Sequence, residues 1–143
     1  MILRPRFEFS ACVAVVLGLA VSTGYPAGIA AGIAMPVACL TPASRKAAFA
    51  TTFAYYAAGL WPMIPGAKHF TGQSAPILIA TLLWLSTAML LSTPWALAWT
   101  PNRRLQYLWR VPLAEIAGIL PLLGLVGFIS PLTGSGYLFP ATG

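Results

Sequence analysis

The chain has 143 residues, of which 59% are hydrophobic and only 7% are charged. A soluble domain carries about 25% charged residues, and so short a chain could not bury this much apolar surface, so an ordinary soluble domain is excluded. The eight Lys and Arg residues, against two acids, lie between apolar runs. This favours a role in membrane orientation over nucleic-acid binding. We therefore predict an all-α integral membrane protein with a single membrane domain over residues 1–143.

Two short helices are predicted in the first apolar run, at residues 7–23 and 26–40, because Gly24 and Pro26 together interrupt a helix. Pro26 also suits the first turn of the second helix. The first helix, which follows basic residues, is also compatible with a cleaved signal peptide, and the sequence leaves that alternative open.

Small residues are frequent in the second predicted helix. Gly28 and Gly32 have the spacing that lets two helix backbones approach closely in lipid, so this pair is predicted to pack helices. Cys12 and Cys39 lie within apolar runs and match no metal-ligand spacing, so both are interpreted as small packing residues.

The third predicted helix, residues 47–66, organises the chain. The uncharged stretch from Ala47 to Ala67 is about 30 Å long as a helix, which matches the hydrocarbon thickness of a bilayer. Pro62 and Pro65 are expected to disrupt its last turn and to leave residues 61–72 partly irregular near the surface.

Aromatic and cationic residues mark the far end of this helix. Tyr55, Tyr56 and Trp61 are amphipathic rings that favour a membrane–water boundary, and Lys68 and His69 follow them as a small cationic spot suited to a phospholipid headgroup. We predict that these residues form a surface for lipid or for a partner.

Two further helices are predicted at residues 74–99 and 111–129. Pro94 should kink or end the first of them. The tail, residues 130–143, is rich in Gly, Pro, Ser and Thr and is predicted to be an interfacial loop, in which Tyr137 and Phe139 extend the same candidate surface.

If the chain crosses the membrane about five times and its N-terminus is inside, the basic residues fall mainly on one side of the membrane. Seven bases then lie in inside segments, and Lys68 alone lies outside. The inside bases are Arg4, Arg6, Arg45, Lys46, Arg103, Arg104 and Arg110. This asymmetry follows the positive-inside rule and predicts an inside N-terminus, an outside C-terminus and a multi-pass protein of the bacterial cytoplasmic membrane.

Few residues are candidates for chemistry. Glu115 is the only acid within a predicted span, and its place near the inner boundary favours a structural role. The chain has one histidine and no aspartate, so no Ser/His/Asp set, metal-ligand cluster, cofactor motif or carboxylate pair can be assembled. No catalytic, metal or cofactor site is predicted, and the chain as it stands is not expected to be a complete enzyme.

The order of features around the third helix resembles a known family. Ser44–Phe49 and the segment Phe53–Trp61, preceded by Ala38–Pro42, are similar to the start of apolipoprotein N-acyltransferases. The likeness is closer to the conjugal-transfer TraB proteins of plasmids. Residues 131–143 also resemble the outer loop of those proteins.

That resemblance implies further membrane helices and an outer nitrilase-like domain with a Glu–Lys–Cys triad, which is not present in this chain. No catalytic residue can be carried over. The implied role is a membrane anchor for such a domain in plasmid conjugal transfer or lipoprotein acylation, with membrane lipids and conjugation-machinery or lipoprotein partners. The alternative is a self-contained, multi-pass assembly subunit without catalysis.

Overall fold

The computed structural model describes residues 4–23, 25–26, 28, 34–40, 42–70, 77–102 and 109–119, and these residues form helices and turns but no strand. Within them, six helices have defined bounds: α1 Arg4–Ser22, α2 Met35–Leu40, α3 Arg45–Gly59, α4 Met63–Phe70, α5 Ile77–Ala98 and α6 Val111–Ile119. The predicted all-α class is confirmed for this part of the chain.

Helix α3 lies at the centre of the packing. It contacts α1, α2 and α5, and α5 also contacts α4 and α6. One cluster of buried apolar side chains joins these helices, and its largest members are Trp95, Tyr55, Tyr56, Met35, Leu60 and Leu91. Aromatic rings from α3 and α5 therefore fill much of the space between the helices.

A serine cap sets the start of α3. Ser44 has an extended backbone, and its side-chain oxygen accepts a hydrogen bond from the Ala47 N–H at 3.2 Å. This satisfies one of the N–H groups that lack an intrahelical partner at a helix start. The helix begins at Arg45, two residues before the predicted start. The prediction placed the start after the charged pair Arg45 and Lys46, but the Ser44 cap decides the boundary.

The predicted single helix at residues 47–66 is wrong, because α3 ends at Gly59 and α4 begins at Met63. The expectation of a partly irregular segment at residues 61–72 is also wrong for Met63–Phe70, which is helical. Proline is tolerated in the first turn of a helix, where its missing N–H has no intrahelical partner. Pro62 and Pro65 therefore separate two helices without preventing the second.

Helix α5 continues through Pro94 to Ala98, so this proline does not end it. Two hydroxyl groups just before the proline donate to carbonyls four residues earlier: Ser92 Oγ to Ala88 O at 2.6 Å and Thr93 Oγ1 to Met89 O at 3.0 Å. These bonds satisfy the two hydroxyl groups within the helix, whereas the carbonyl that loses its N–H donor to Pro94 is that of Leu90, four residues earlier.

The remaining predicted helices agree approximately with the observed ones. The first, predicted at 7–23, is α1, and the fourth, predicted at 74–99, is α5. The second, predicted at 26–40, is helical at residues 26, 28 and 35–40, and the fifth begins at Val111 as predicted. Residues 120–129 and the predicted loop 130–143 lie outside the described residues.

By length and composition, α5 is the one helix of the described residues that could cross a membrane, and Phe9–Ser22 is a shorter apolar helical segment.

Candidate functional site

Three tryptophans of α5 and its C-terminal flank fasten this helix to α3. Trp84 Nε1 donates to the Ala57 carbonyl oxygen at 2.9 Å, and Trp99 Nε1 donates to the Pro42 carbonyl oxygen at 2.9 Å. An early residue of α5 thus meets the end of α3, and a residue after α5 meets the turn before α3. The two helices are therefore antiparallel.

The third tryptophan makes a buried side-chain bond. Trp95 Nε1 donates to the Tyr56 hydroxyl at 3.0 Å. Side chains in a helix tilt towards the N-terminus of that helix. Because α3 and α5 are antiparallel, the long side chains of Tyr56 and Trp95 tilt towards each other and meet, although their backbones lie at different heights along the helix pair. We call Trp84, Trp95 and Trp99 with their acceptors the tryptophan seam.

The seam lies beside other buried polar groups. Thr52 Oγ1 donates to the carbonyls of Ala48 and Phe49, both at 2.9 Å, so its hydroxyl is satisfied within α3. The neighbouring Thr51 Oγ1 is buried and has no hydrogen-bond partner among the described residues. Polar groups and aromatic rings thus occupy the interior of the bundle.

The predicted lipid or partner surface is only partly a surface. Tyr55 and Tyr56 are 0% and 3% exposed, so both rings are interior, in contrast to the prediction. The two rings pack edge to face with centroids 5.1 Å apart, and the Tyr56 hydroxyl accepts the bond from Trp95. A tyrosine hydroxyl finds a hydrogen-bond partner in the protein interior as well as at a membrane–water boundary. The amino-acid composition therefore did not distinguish the two locations.

Trp61 differs from the two tyrosines, because it is 49% exposed in the turn between α3 and α4. Lys68 and His69 belong to the last turn of α4, and their side chains lie outside the described part of the structure. Tyr137 and Phe139 lie outside the described residues. The structure therefore places Trp61 and the backbone of the cationic pair in one continuous segment.

Glycine allows close helix contact at two described positions. A Cβ on Gly18 would overlap the Tyr55 carbonyl oxygen and would lie 3.0 Å from both Ala58 Cβ and Gly59 N. A Cβ on Gly28 would overlap the carbonyl group of Ala20, so Gly28 lies against the end of α1. Gly32, its predicted companion, lies outside the described residues.

The contact of Gly18 with α3 was not predicted from the sequence. Ala14 and Gly18 are four residues apart and both are buried, which is the same small-residue spacing that singled out Gly28 and Gly32. The signal was therefore present in α1, but small residues at this spacing recur through the chain.

Apolar side chains cover much of the outside of the bundle. Large exposed residues on α5 include Leu78 at 65%, Leu82 at 57% and Leu97 at 62%. Cys12 is also exposed on α1, which contradicts its interpretation as a buried packing residue. Extended exposed apolar surface of this kind is rare in a water-soluble protein.

The exposed face of α5 also contains hydroxyl groups, and these are satisfied by its own backbone. Ser86 Oγ donates to Leu83 O at 3.0 Å, and Thr93 Oγ1 donates to Met89 O at 3.0 Å. In hydrocarbon every polar group needs a partner within the protein. The polar side chains on this face meet that requirement.

The described residues contain no group of three or more His, Cys, Asp or Glu side chains that could hold a metal ion. Comparison with known protein families, with curated proteins and with solved structures finds no match for this chain. Within the described part of the chain, the main features are the outward apolar surface, the tryptophan seam and the segment from Trp61 through α4.

Proposed function

We propose that this chain is a multi-pass membrane bundle of about five spans in the bacterial cytoplasmic membrane. The observation that carries the proposal is the large exposed apolar surface of the bundle. Leu78, Leu82 and Leu97 face outward, while Thr51, Thr52 and the Trp95–Tyr56 bond lie inside. Outside water, apolar exposure carries no hydrophobic penalty, and interior hydrogen bonds help to hold helices together.

The antiparallel seam supports the proposed orientation. The Trp99–Pro42 bond brings the end of α5 to the turn before α3, where Arg45 and Lys46 are exposed. The opposite end of α3 carries Trp61. With the basic end inside, this arrangement follows the positive-inside rule and assigns the Trp61 end to the outer face.

We further propose that the bundle anchors an outer nitrilase-like domain, as in TraB and apolipoprotein N-acyltransferase-like proteins. This part rests on the resemblance of Ser44–Phe49 and Phe53–Trp61 to those families. In this proposal the role of the chain in conjugal transfer or lipoprotein acylation is anchoring and lipid contact. The alternative remains a self-contained assembly subunit.

Two measurements on one tagged gene test the proposal. The tag is placed at the N-terminus at the natural locus, and membranes are extracted with alkaline carbonate. Retention in the membrane pellet supports the bundle, and release into the supernatant would contradict it. A band several times larger than 15.1 kDa supports the anchor role, whereas a band near 15.1 kDa favours the assembly subunit.

A further inference from the structure

The backbone bonding of α5 is weakened just before Pro94. Ser92 and Thr93 each donate a side-chain hydroxyl to the carbonyl four residues earlier, at 2.6 and 3.0 Å. Hydroxyl bonds of this kind compete with the backbone N–H for its carbonyl and often bend helices. Pro94 has no N–H, so the carbonyl four residues before it loses its donor as well. The three consecutive carbonyls at positions 88–90 are thus affected, and we call residues 88–94 the hinge turn.

Two tryptophans fasten the end of α5 beyond the hinge turn to α3 and to the turn before it. Trp95, which is buried, is the first residue after the hinge turn, and its Nε1 donates to the Tyr56 hydroxyl at 3.0 Å. Trp99 Nε1 donates to the Pro42 carbonyl oxygen at 2.9 Å. We call residues 95–100 the arm. Because the turn before it is weak, these two bonds and the packing of the Trp95 ring hold the arm at its angle to α3.

The part of α5 before the hinge turn has its own attachment. Trp84 Nε1 donates to the Ala57 carbonyl oxygen at 2.9 Å, and this part of α5 precedes the arm by more than two helical turns. Loss of the bonds of the arm would therefore leave the first part of α5 in place on α3. A weak turn between two separately fastened parts of one helix is the arrangement of a hinge.

We propose that the arm rotates about the hinge turn and that the Trp95–Tyr56 and Trp99–Pro42 bonds are latches that hold it closed. The arm is about 9 Å long at a helical rise, so a rotation of ~20–30° moves its far end by roughly 3–5 Å. Opening separates Trp95 from Tyr56 and uncovers the tyrosine hydroxyl.

The hinge connects the surface of the bundle with its interior. Pro101 and Asn102, which follow the arm, are exposed, whereas the Trp95–Tyr56 bond is buried. A force on the exposed segment is thus transmitted along the arm to an interior bond. This inference goes beyond the membrane role proposed above and does not depend on it, because it uses only contacts within the bundle.

Distances between spin labels test the hinge in the full chain. One pair of nitroxides, at Lys46→Cys and Leu97→Cys, reports the arm, and a second pair, at Trp61→Cys and Leu78→Cys, reports the first part of α5. All four positions are exposed, and both pairs are placed in a cysteine-free background. Double electron–electron resonance in detergent micelles gives the distance distribution of each pair.

Removal of the latches should open the arm. Tyr56→Phe removes one acceptor and keeps the ring, and Trp99→Phe removes the other donor. Loss of one bond should raise the ratio of open to closed arm about five-fold, equivalent to ~1 kcal/mol, and loss of both about 25-fold. A second, longer distance should then appear for the arm pair alone. Trp84→Phe, the matched loss of a tryptophan bond before the hinge turn, should leave the arm pair unchanged.

Pro94→Ala tests the hinge turn itself. This change restores a backbone donor, so in the chain without latches it should remove the longer distance of the arm pair. Persistence of that distance would overturn the hinge turn, and equal broadening of both label pairs would show a general loosening of the bundle instead of a hinge.

An arm pair that keeps its native distance in the double variant would overturn the latches. If the double variant does not fold, Tyr56→Phe alone decides the question, because it keeps the ring packing. Its arm pair must still show an increased share of the longer distance, and an unchanged distribution would overturn the proposal.

Discussion

The contact between α1 and α3 depends on the absence of a side chain at Gly18. In Gly18→Ala the new methyl group would overlap the Tyr55 carbonyl oxygen and would lie 3.0 Å from two further atoms, Ala58 Cβ and Gly59 N. Carbon atoms pack best at about 3.5–4.0 Å, so α1 must move away from α3 by on the order of 1 Å. None of the three obstructing atoms can be displaced by a rotamer change, because two are backbone atoms and the third is an alanine Cβ.

The expected loss of stability follows from two opposing terms. Overpacking a close helix contact typically costs about 1–3 kcal/mol, and the rigid backbone neighbours place Gly18→Ala in the upper part of that range. Alanine is a better helix former than glycine by about 1 kcal/mol, which offsets part of the cost. We expect the free energy of unfolding to fall by roughly 1–2 kcal/mol.

Gly66→Ala is the matched control, because the same methyl group meets open space there. The helix-propensity gain is then unopposed, and this variant should be more stable than the native chain by up to ~1 kcal/mol. The assay is helix content by circular dichroism in mixed micelles with increasing dodecyl sulfate. Equal stability of the two variants, or a more stable Gly18→Ala, would refute the close contact between α1 and α3.

Three further predictions concern the interior and the outer surface. In a double-mutant cycle of Trp95→Phe and Tyr56→Phe, unfolding in mixed micelles should give a coupling of about 0.5–1.5 kcal/mol, and no coupling would contradict the bond between them. Thr51→Val should leave the free energy of unfolding unchanged or raise it, because the Thr51 hydroxyl has no partner among the described residues. Thr52→Val loses satisfied hydrogen bonds and should cost about 1 kcal/mol in the same assay. The reverse order would contradict the described hydroxyl partners. Leu82→Arg should lower insertion into microsomal membranes by about 3 kcal/mol while Leu82→Ala changes little, and efficient insertion of the arginine variant would show that this position does not face lipid.

Helix positions were largely predictable from the sequence, because apolar runs and prolines mark them directly. α1 and α5 lie within a few residues of their predicted bounds. The boundary between α3 and α4 was mispredicted because the apolar run continues through it, and Pro62 and Pro65 permit a new helix instead of an irregular segment.

The locations of side chains were harder to predict. In a water-soluble helix the apolar stripe identifies the buried face, but α5 is apolar on all sides, so its composition does not separate Trp95, which is buried, from Leu82, which is exposed. Tyr55 and Tyr56 were assigned to a surface because an amphipathic ring suits both a membrane–water boundary and a hydrogen-bonded interior site. Their interior location follows from packing against α1 and α5, which the sequence of α3 alone does not contain.

The most direct test of the membrane bundle is to determine on which side of the membrane each end of α3 lies. Single cysteines are introduced at Lys46→Cys and Trp61→Cys in a Cys12→Ser and Cys39→Ser background, and intact spheroplasts are treated with a membrane-impermeant maleimide. We predict that the cysteine at position 61 is labelled at once and that the one at position 46 is labelled only after the membrane is opened. Labelling of both positions in intact spheroplasts, or of neither before permeabilisation, would contradict the proposed orientation, in which the basic end of α3 lies inside and the Trp61 end lies outside.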